Sequence, residues 1–131
     1  MTRKALHLGK DWEDTVPFSL GVVASGDFLY TAGITAREDN GALVGKGDMR
    51  AQLQQCFKVL GEVLEAAGAS WSDVVKYTIF TTDIDSYVKD TLDIRKKHFV
   101  DRPAATLVEV SKLINPDMLV EIEAVVRLGK Q

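Results

Sequence analysis

With 131 residues, 46% of them hydrophobic, the chain has the size of one domain able to bury its own core without metal or disulfide support. Its 16 basic and 19 acidic side chains are mixed along the length at a net charge of -3, so no basic stripe follows a phosphate backbone and nucleic acid is not an expected partner. A lone cysteine, no apolar run of membrane-spanning length and no long apolar stretch at the start point to a soluble cytoplasmic protein.

In chain order, residues 5–8 suit a short edge strand, and 9–16, with Lys10, Asp11, Trp12 and Glu13, a polar connection. Two β-prone runs at 18–24 and 28–33 flank the Ser25-Gly26-Asp27 turn and predict a hairpin. Gly33 ends the second run; it either admits a backbone or ligand at close range or marks a bend or bulge. Residues 36–47 contain Asn40-Gly41 and further glycines and read as a loop, with a brief strand at 42–44.

The clearest element follows. Met49, Leu53, Cys56, Phe57, Leu60, Val63, Leu64 and Ala67 recur at spacings of three and four, with Asp48 as N-cap and Gly68 as stop, which predicts an amphipathic helix. Cys56 falls on its apolar stripe and reads as a small core hydrophobe. Ser70 to Asp73 form a capped connection into a strand at 74–81, with Val75, Tyr77 and Ile79 on one side and Val74, Lys76, Thr78 and Phe80 on the other. A second helix is expected at 86–99, placing Val88, Leu92, Arg95 and Phe99 along one side.

Residues 103–128 read as two strands joined by a turn at Asn115-Pro116-Asp117. In the second, Val120, Ile122, Ala124, Val126 and Leu128 share a pure core face, while Leu119, Glu121, Glu123, Val125 and Arg127 share the other. The element order predicts a single α+β domain over 1–131, a two-layer sandwich with two helices on one face of a mixed sheet. The uncovered face carries Leu119, Val125, Leu29 or Phe28 and other apolar groups, which predicts a homo-oligomer.

Catalytic equipment is sparse. His7 and His98 are solitary, with no neighbouring ligand at metal spacing, and no phosphate-cradling loop or nucleophile-elbow serine is present, so neither a metal nor a cofactor is expected. Glu121 and Glu123 point the same way along one strand and are either solvated carboxylates or an acid and base in a cleft.

Pro-Ala-Ala-Thr-Leu-Val-Glu-Val at 103–110 with Val-Glu-Ile-Glu-Ala-Val-Val at 120–126 resembles the signature segment of the Rid family, the YjgF-type reactive-intermediate deaminases. The sequences at 16–22 (Val-Pro-Phe-Ser-Leu-Gly-Val), 29–34 (Leu-Tyr-Thr-Ala-Gly-Ile), 64–69 (Leu-Glu-Ala-Ala-Gly-Ala) and 72–84 resemble further landmarks in the family's order. The resemblance implies a chorismate-mutase-like α+β subunit in a homotrimer, the sheets facing inward as a barrel and small-molecule clefts between neighbouring subunits. It also implies hydrolysis of enamines and imines derived from amino acids.

Departures from the family pattern fall in the cleft. Ala105 stands where the family's Pro-Ala-Arg-Ser segment carries the arginine that holds a substrate carboxylate, and a bidentate, charge-assisted anchor is lost with it. Phe18 stands at the cleft tyrosine and Leu107 at the cleft cysteine, while Glu121 matches the glutamate that positions the attacking water and Gly33 the glycine whose backbone approaches the ligand. Arg102 lies three residues before Ala105, which strand alternation sends to the opposite face, so it is not taken as a substitute. The candidate site is thus Glu121 as catalytic group, with Phe18, Gly33, Ala105, Thr106 and Leu107 binding substrate. Two functions fit: a deaminase-type hydrolase of an imine, enamine or related reactive metabolite, or a non-catalytic sensor, carrier or holdase for a small metabolite. RNA cleavage, a label also attached to this family, is disfavoured by the acidic balance.

Overall fold

Alternation along the last long strand dictates the architecture. In the computed structural model, which describes residues 3–129, β6 (Val120–Arg127) buries Val120, Ile122, Ala124 and Val126 completely or nearly so. That face is met by α1 (Met49–Ala66), whose Leu53, Cys56, Phe57, Leu60 and Leu64 form the matching stripe. The Asp48 carboxylate accepts the Ala51 N–H at 3.0 Å, capping α1 at its start, and Gly68 ends it at φ +74°. Each large side chain so buried stabilises the fold by roughly 1.5–3 kcal/mol.

The strands are β1 (Arg3–Ala5), β2 (Val22–Ala24), β3 (Phe28–Tyr30), β4 (Val74–Thr81), β5 (Ala104–Glu109) and β6, with α2 (Ile84–Asp90) and α3 (Leu92–His98) between β4 and β5. A four-stranded mixed sheet runs β3-β6-β4-β5, with β4 and β5 parallel and the other pairs antiparallel; β1 and β2 form a separate antiparallel pair. The α+β class and the helices gathered on one face agree with the sequence reading.

Four local expectations are corrected. The runs at 18–24 and 28–33 do not pair as a hairpin, because β2 pairs with β1 and β3 with β6. The Ser25-Gly26-Asp27 turn is held instead from the end of β6: Arg127 Nε donates to the Ser25 carbonyl at 2.5 Å and the Leu128 N–H to the Asp27 carbonyl at 2.6 Å. The strands in 103–128 are not neighbours either; β4, buried on one whole side, takes the centre between them, which makes β5 an edge. The expected helix at 86–99 is two helices meeting at Thr91, and the buried positions are Tyr87, Thr91, Ile94, Arg95 and Phe99, whereas Val88 and Leu92 are exposed. The strand expected at 5–8 lies at 3–5, since beyond it the backbone N–H groups of Leu8 and Lys10 turn onto the Glu13 carboxylate.

The sheet's other face carries no helix. Register places Phe28, Tyr30, Lys76, Thr78, Phe80, Thr106, Val108, Glu121, Glu123 and Val125 on it, and Leu29 on the core side. Val75 is an extra residue at a bulge beside Val74, and it too is buried.

Candidate functional site

The open face displays Glu121. Strand pairing sets it opposite Phe80 on β4, and the chain after β3 returns alongside β6 through the Ile34–Ile122 bridge. This brings Gly33 under the carboxylate: a Cβ built on Gly33 would stand 1.8 Å from Glu121 Oε2. The glycine is therefore required for space, since its φ is not in the left-handed region. No described residue donates a hydrogen bond to the Glu121 carboxylate or pairs with it, leaving both oxygens for a ligand or water.

Three other predicted residues gather elsewhere. Parallel register places Ala105 beside Tyr77 and Leu107 beside Ile79, on the core side of the edge strand β5. With Pro17 and Phe18 in front and Tyr87 and Arg95 from α2 and α3 behind, they enclose a cavity of about 210 Å³. Thr106 contributes to its rim, but its hydroxyl accepts from Lys76 Nζ at 2.5 Å on the open face. Five of the six predicted residues thus fall into two half-sites, with Thr106 between them. Phe18, Ala105 and Leu107 edge the cavity on the core side, while Gly33 and Glu121 lie across the sheet on the open side.

Arg102 shows how Phe18 is held. It adopts φ +52°, and its guanidinium donates to the carbonyls of Glu13 and, at 3.0 Å, Phe18. The Ser19 N–H donates to the Pro103 carbonyl at 3.1 Å, tying the 17–19 segment to the head of β5. Arg102 thus serves the backbone and does not replace a cavity cation.

Tyr77, Tyr87 and Arg95 complete the cavity and were missed as site residues. The available signal was an arginine on a helix stripe otherwise made of Val88, Leu92 and Phe99, where a charge needs a reason. Arg95 is only 8% exposed and Tyr87 is fully buried. Burial pushes the Tyr77 phenol up to about 12, against the opposing pull of Arg95, and raises that of Tyr87 further, so both carry their protons at neutral pH.

Cys56 is buried on α1 and its thiol is pushed up to about 12, chiefly by burial and then by the negative charge of Glu121. His7 has a partner the sequence reading did not assign: Asp14 lies 3.2 Å from its Nε2, because the 11–15 turn folds back. Among the described residues no cluster of His, Cys, Asp and Glu could hold a metal ion. A larger groove of about 520 Å³ runs along the outside of α1 and α3, but Arg50 there is already engaged with Asp93 at 2.7 and 3.0 Å, and Lys58 with Glu62 at 3.5 Å.

Comparison with known proteins covers nearly the whole chain. Residues 10–128 match the family model described as Endoribonuclease L-PSP. A RutC-family protein of Pyrococcus horikoshii is 36% identical over 110 residues, 83% of this chain and 85% of the relative, and one of Synechocystis is 34% identical over 128 residues, 95% of this chain and 96% of the relative. A crystal structure of the Rid-family protein YyfB of Yersinia pestis is similar at 34% identity with a TM-score of 0.86, covering 98% of this chain and 100% of that one.

Proposed function

The chain belongs to the Rid family, the YjgF-type proteins whose family model is the endoribonuclease L-PSP one, and from that premise we propose that it is a homotrimeric, cytoplasmic hydrolase of small imines or enamines. Each subunit contributes one such domain. Each cleft takes Gly33 and Glu121 from one subunit and the cavity behind Phe18, Ala105 and Leu107 from its neighbour.

The observation that carries this reading is the Glu121 carboxylate, unpaired among the described residues, lying over the bare backbone of Gly33. Glu121 takes a proton from water as the water oxygen bonds to the imine carbon, and hands that proton on to the imine nitrogen, which restores the carboxylate. The resulting carbinolamine passes its hydroxyl proton through the same carboxylate to the nitrogen as the C–N bond breaks, releasing ammonia and leaving a carbonyl compound, with no redox partner needed. The open face supports assembly, because Phe28, Phe80 and Val125 lie on it and Tyr30 is 72% exposed. Ammonia release from freshly generated 2-iminopropanoate tests the reading. The native chain is expected to accelerate it and Glu121→Gln to lose at least a hundredfold of that rate; equal rates for the two would remove Glu121 from the chemistry.

One observation favours a second reading, a metabolite-binding protein without turnover. Phe18, Ala105 and Leu107 are apolar, and the Thr106 hydroxyl at the rim is engaged by Lys76 on the open face. A native chain that retains a small molecule on purification, seen by native mass spectrometry, and releases no ammonia would select it.

A further inference from the structure

We propose that the cavity behind Phe18 and Ala105 binds a small organic monocarboxylate, and that Arg95, with Tyr87 beside it, is the cation that receives it. This deepens the reading of that cavity as the ligand side of the cleft and rests on it.

Arg95 is the first observation. A guanidinium stays ionised in proteins and is unfavourable to bury unless it is paired. Among the described residues Arg95 has only neutral partners: Nε donates to Thr91 Oγ1 at 3.1 Å and Nη2 to the Val88 carbonyl at 3.0 Å. No carboxylate of a described residue forms an ion pair with it, and Nη1 makes no hydrogen bond to any of them.

Tyr87 is the second. Its ring lies under the guanidinium, 4.9 Å from centroid to Cζ, and its buried hydroxyl has no hydrogen-bond partner among the described residues. Capping of α2 through Val88 and stacking on the ring account for Nη2 and for the arginine's position. They leave the buried phenol without a partner among the described residues and Nη1 free to donate. A carboxylate satisfies both, accepting from Nη1 with one oxygen and from the Tyr87 hydroxyl with the other.

The rest of the cavity restricts the ligand further. Arg95 is the one cation among the lining residues, which suits a single negative charge. Pro17, Phe18, Ile79 and Leu107 are apolar, which suits a hydrocarbon or aromatic body. The volume of about 210 Å³ exceeds the roughly 150 Å³ that takes up a benzene ring.

The test uses benzoate and its neutral isostere benzamide as probes, titrated into the full-length chain by calorimetry or ligand-observed NMR. Benzoate is expected to bind at least tenfold more tightly than benzamide. Tyr87→Phe, which removes only the unpartnered hydroxyl and keeps the ring under Arg95, is expected to retain its thermal transition and to weaken benzoate at least threefold. Arg95→Met is the direct variant, read only if its transition is intact, and is expected to abolish the preference for benzoate. Equal affinity for the two probes, no benzoate binding at about 10 mM, or undiminished binding by Tyr87→Phe would overturn the proposal. Discrimination between the probes without imine turnover keeps the carboxylate pocket and removes the hydrolase reading; turnover without discrimination does the reverse.

Discussion

At the level of single residues, Gly33 and Glu121 behave as one unit. A methyl group at Gly33 occupies the place of Glu121 Oε2, and the part that must move is the far end of a flexible side chain rather than backbone. Gly33→Ala is therefore expected to leave the melting temperature within a few degrees and to lower ammonia release at least tenfold by displacing the carboxylate, measured side by side with Glu121→Gln. An unchanged rate would show that the carboxylate's position over the glycine is irrelevant. Cys56 gives a contrasting expectation. With its thiol pushed up to about 12 and its side chain buried, it should not react with a disulfide reagent at pH 8 until the protein unfolds. Strand alternation and a glycine at a strand end make Glu121, Glu123 and Gly33 candidates, and it is the resemblance to the Rid family that singles out Glu121 and Gly33. Arg95 falls on the helix stripe with Phe99, but nothing local gives it a ligand role, and Tyr87 is hidden because the break at Thr91 changes which side of the first helix is buried.

That break belongs to the scale of elements, where hydrogen bonds between distant segments decided what periodicity could not. The pattern of α1 was unambiguous and its bounds match, because cap, stripe and stop all lie within one continuous stretch. Hairpin pairings were misread where a third strand competes for the same edge, as β6 does for β3 and β4 does for β5. Gln52 was invisible for the same reason. It is fully buried in α1, donates through Nε2 to the carbonyls of Gly45 and Asp117, and accepts the Leu119 N–H at 2.8 Å, tying two loops to the start of β6. Gln52→Leu leaves those backbone groups without partners and should cost about 2–4 kcal/mol, lowering the thermal midpoint by about 10 °C.

Glu13 makes a comparable junction near the start of the chain. Burial would raise its carboxyl, but the N–H groups of Lys10 and Leu8 outweigh that and hold it below the ordinary value. A carboxylate lowered in the folded state contributes stability that is complete above the ordinary carboxylate range and lost as pH falls through the lowered value. The Leu8 and Lys10 amides should accordingly be protected from hydrogen exchange at neutral pH and lose that protection below about pH 4. Glu13→Gln should remove this pH dependence.

For the molecule as a whole, the two half-sites lie on opposite faces of one sheet. Register puts Glu121 across from Phe80 on the open side and Leu107 beside Ile79 on the core side, and no side-chain rotation carries either group through a hydrogen-bonded sheet. If the cleft requires both, a second chain must supply one of them, so activity and assembly should fail together. Val125 is suited to test this, because it sits on the open face of β6 between the core positions Ala124 and Val126. Val125→Arg places a charge on the proposed contact surface without entering the core. The native chain is expected to sediment at the mass of a trimer and to release ammonia from the imine, and the variant to sediment as a folded monomer and release none. A variant that is monomeric by ultracentrifugation yet fully active would mean that one chain suffices, and the division of the site between neighbours would have to be abandoned.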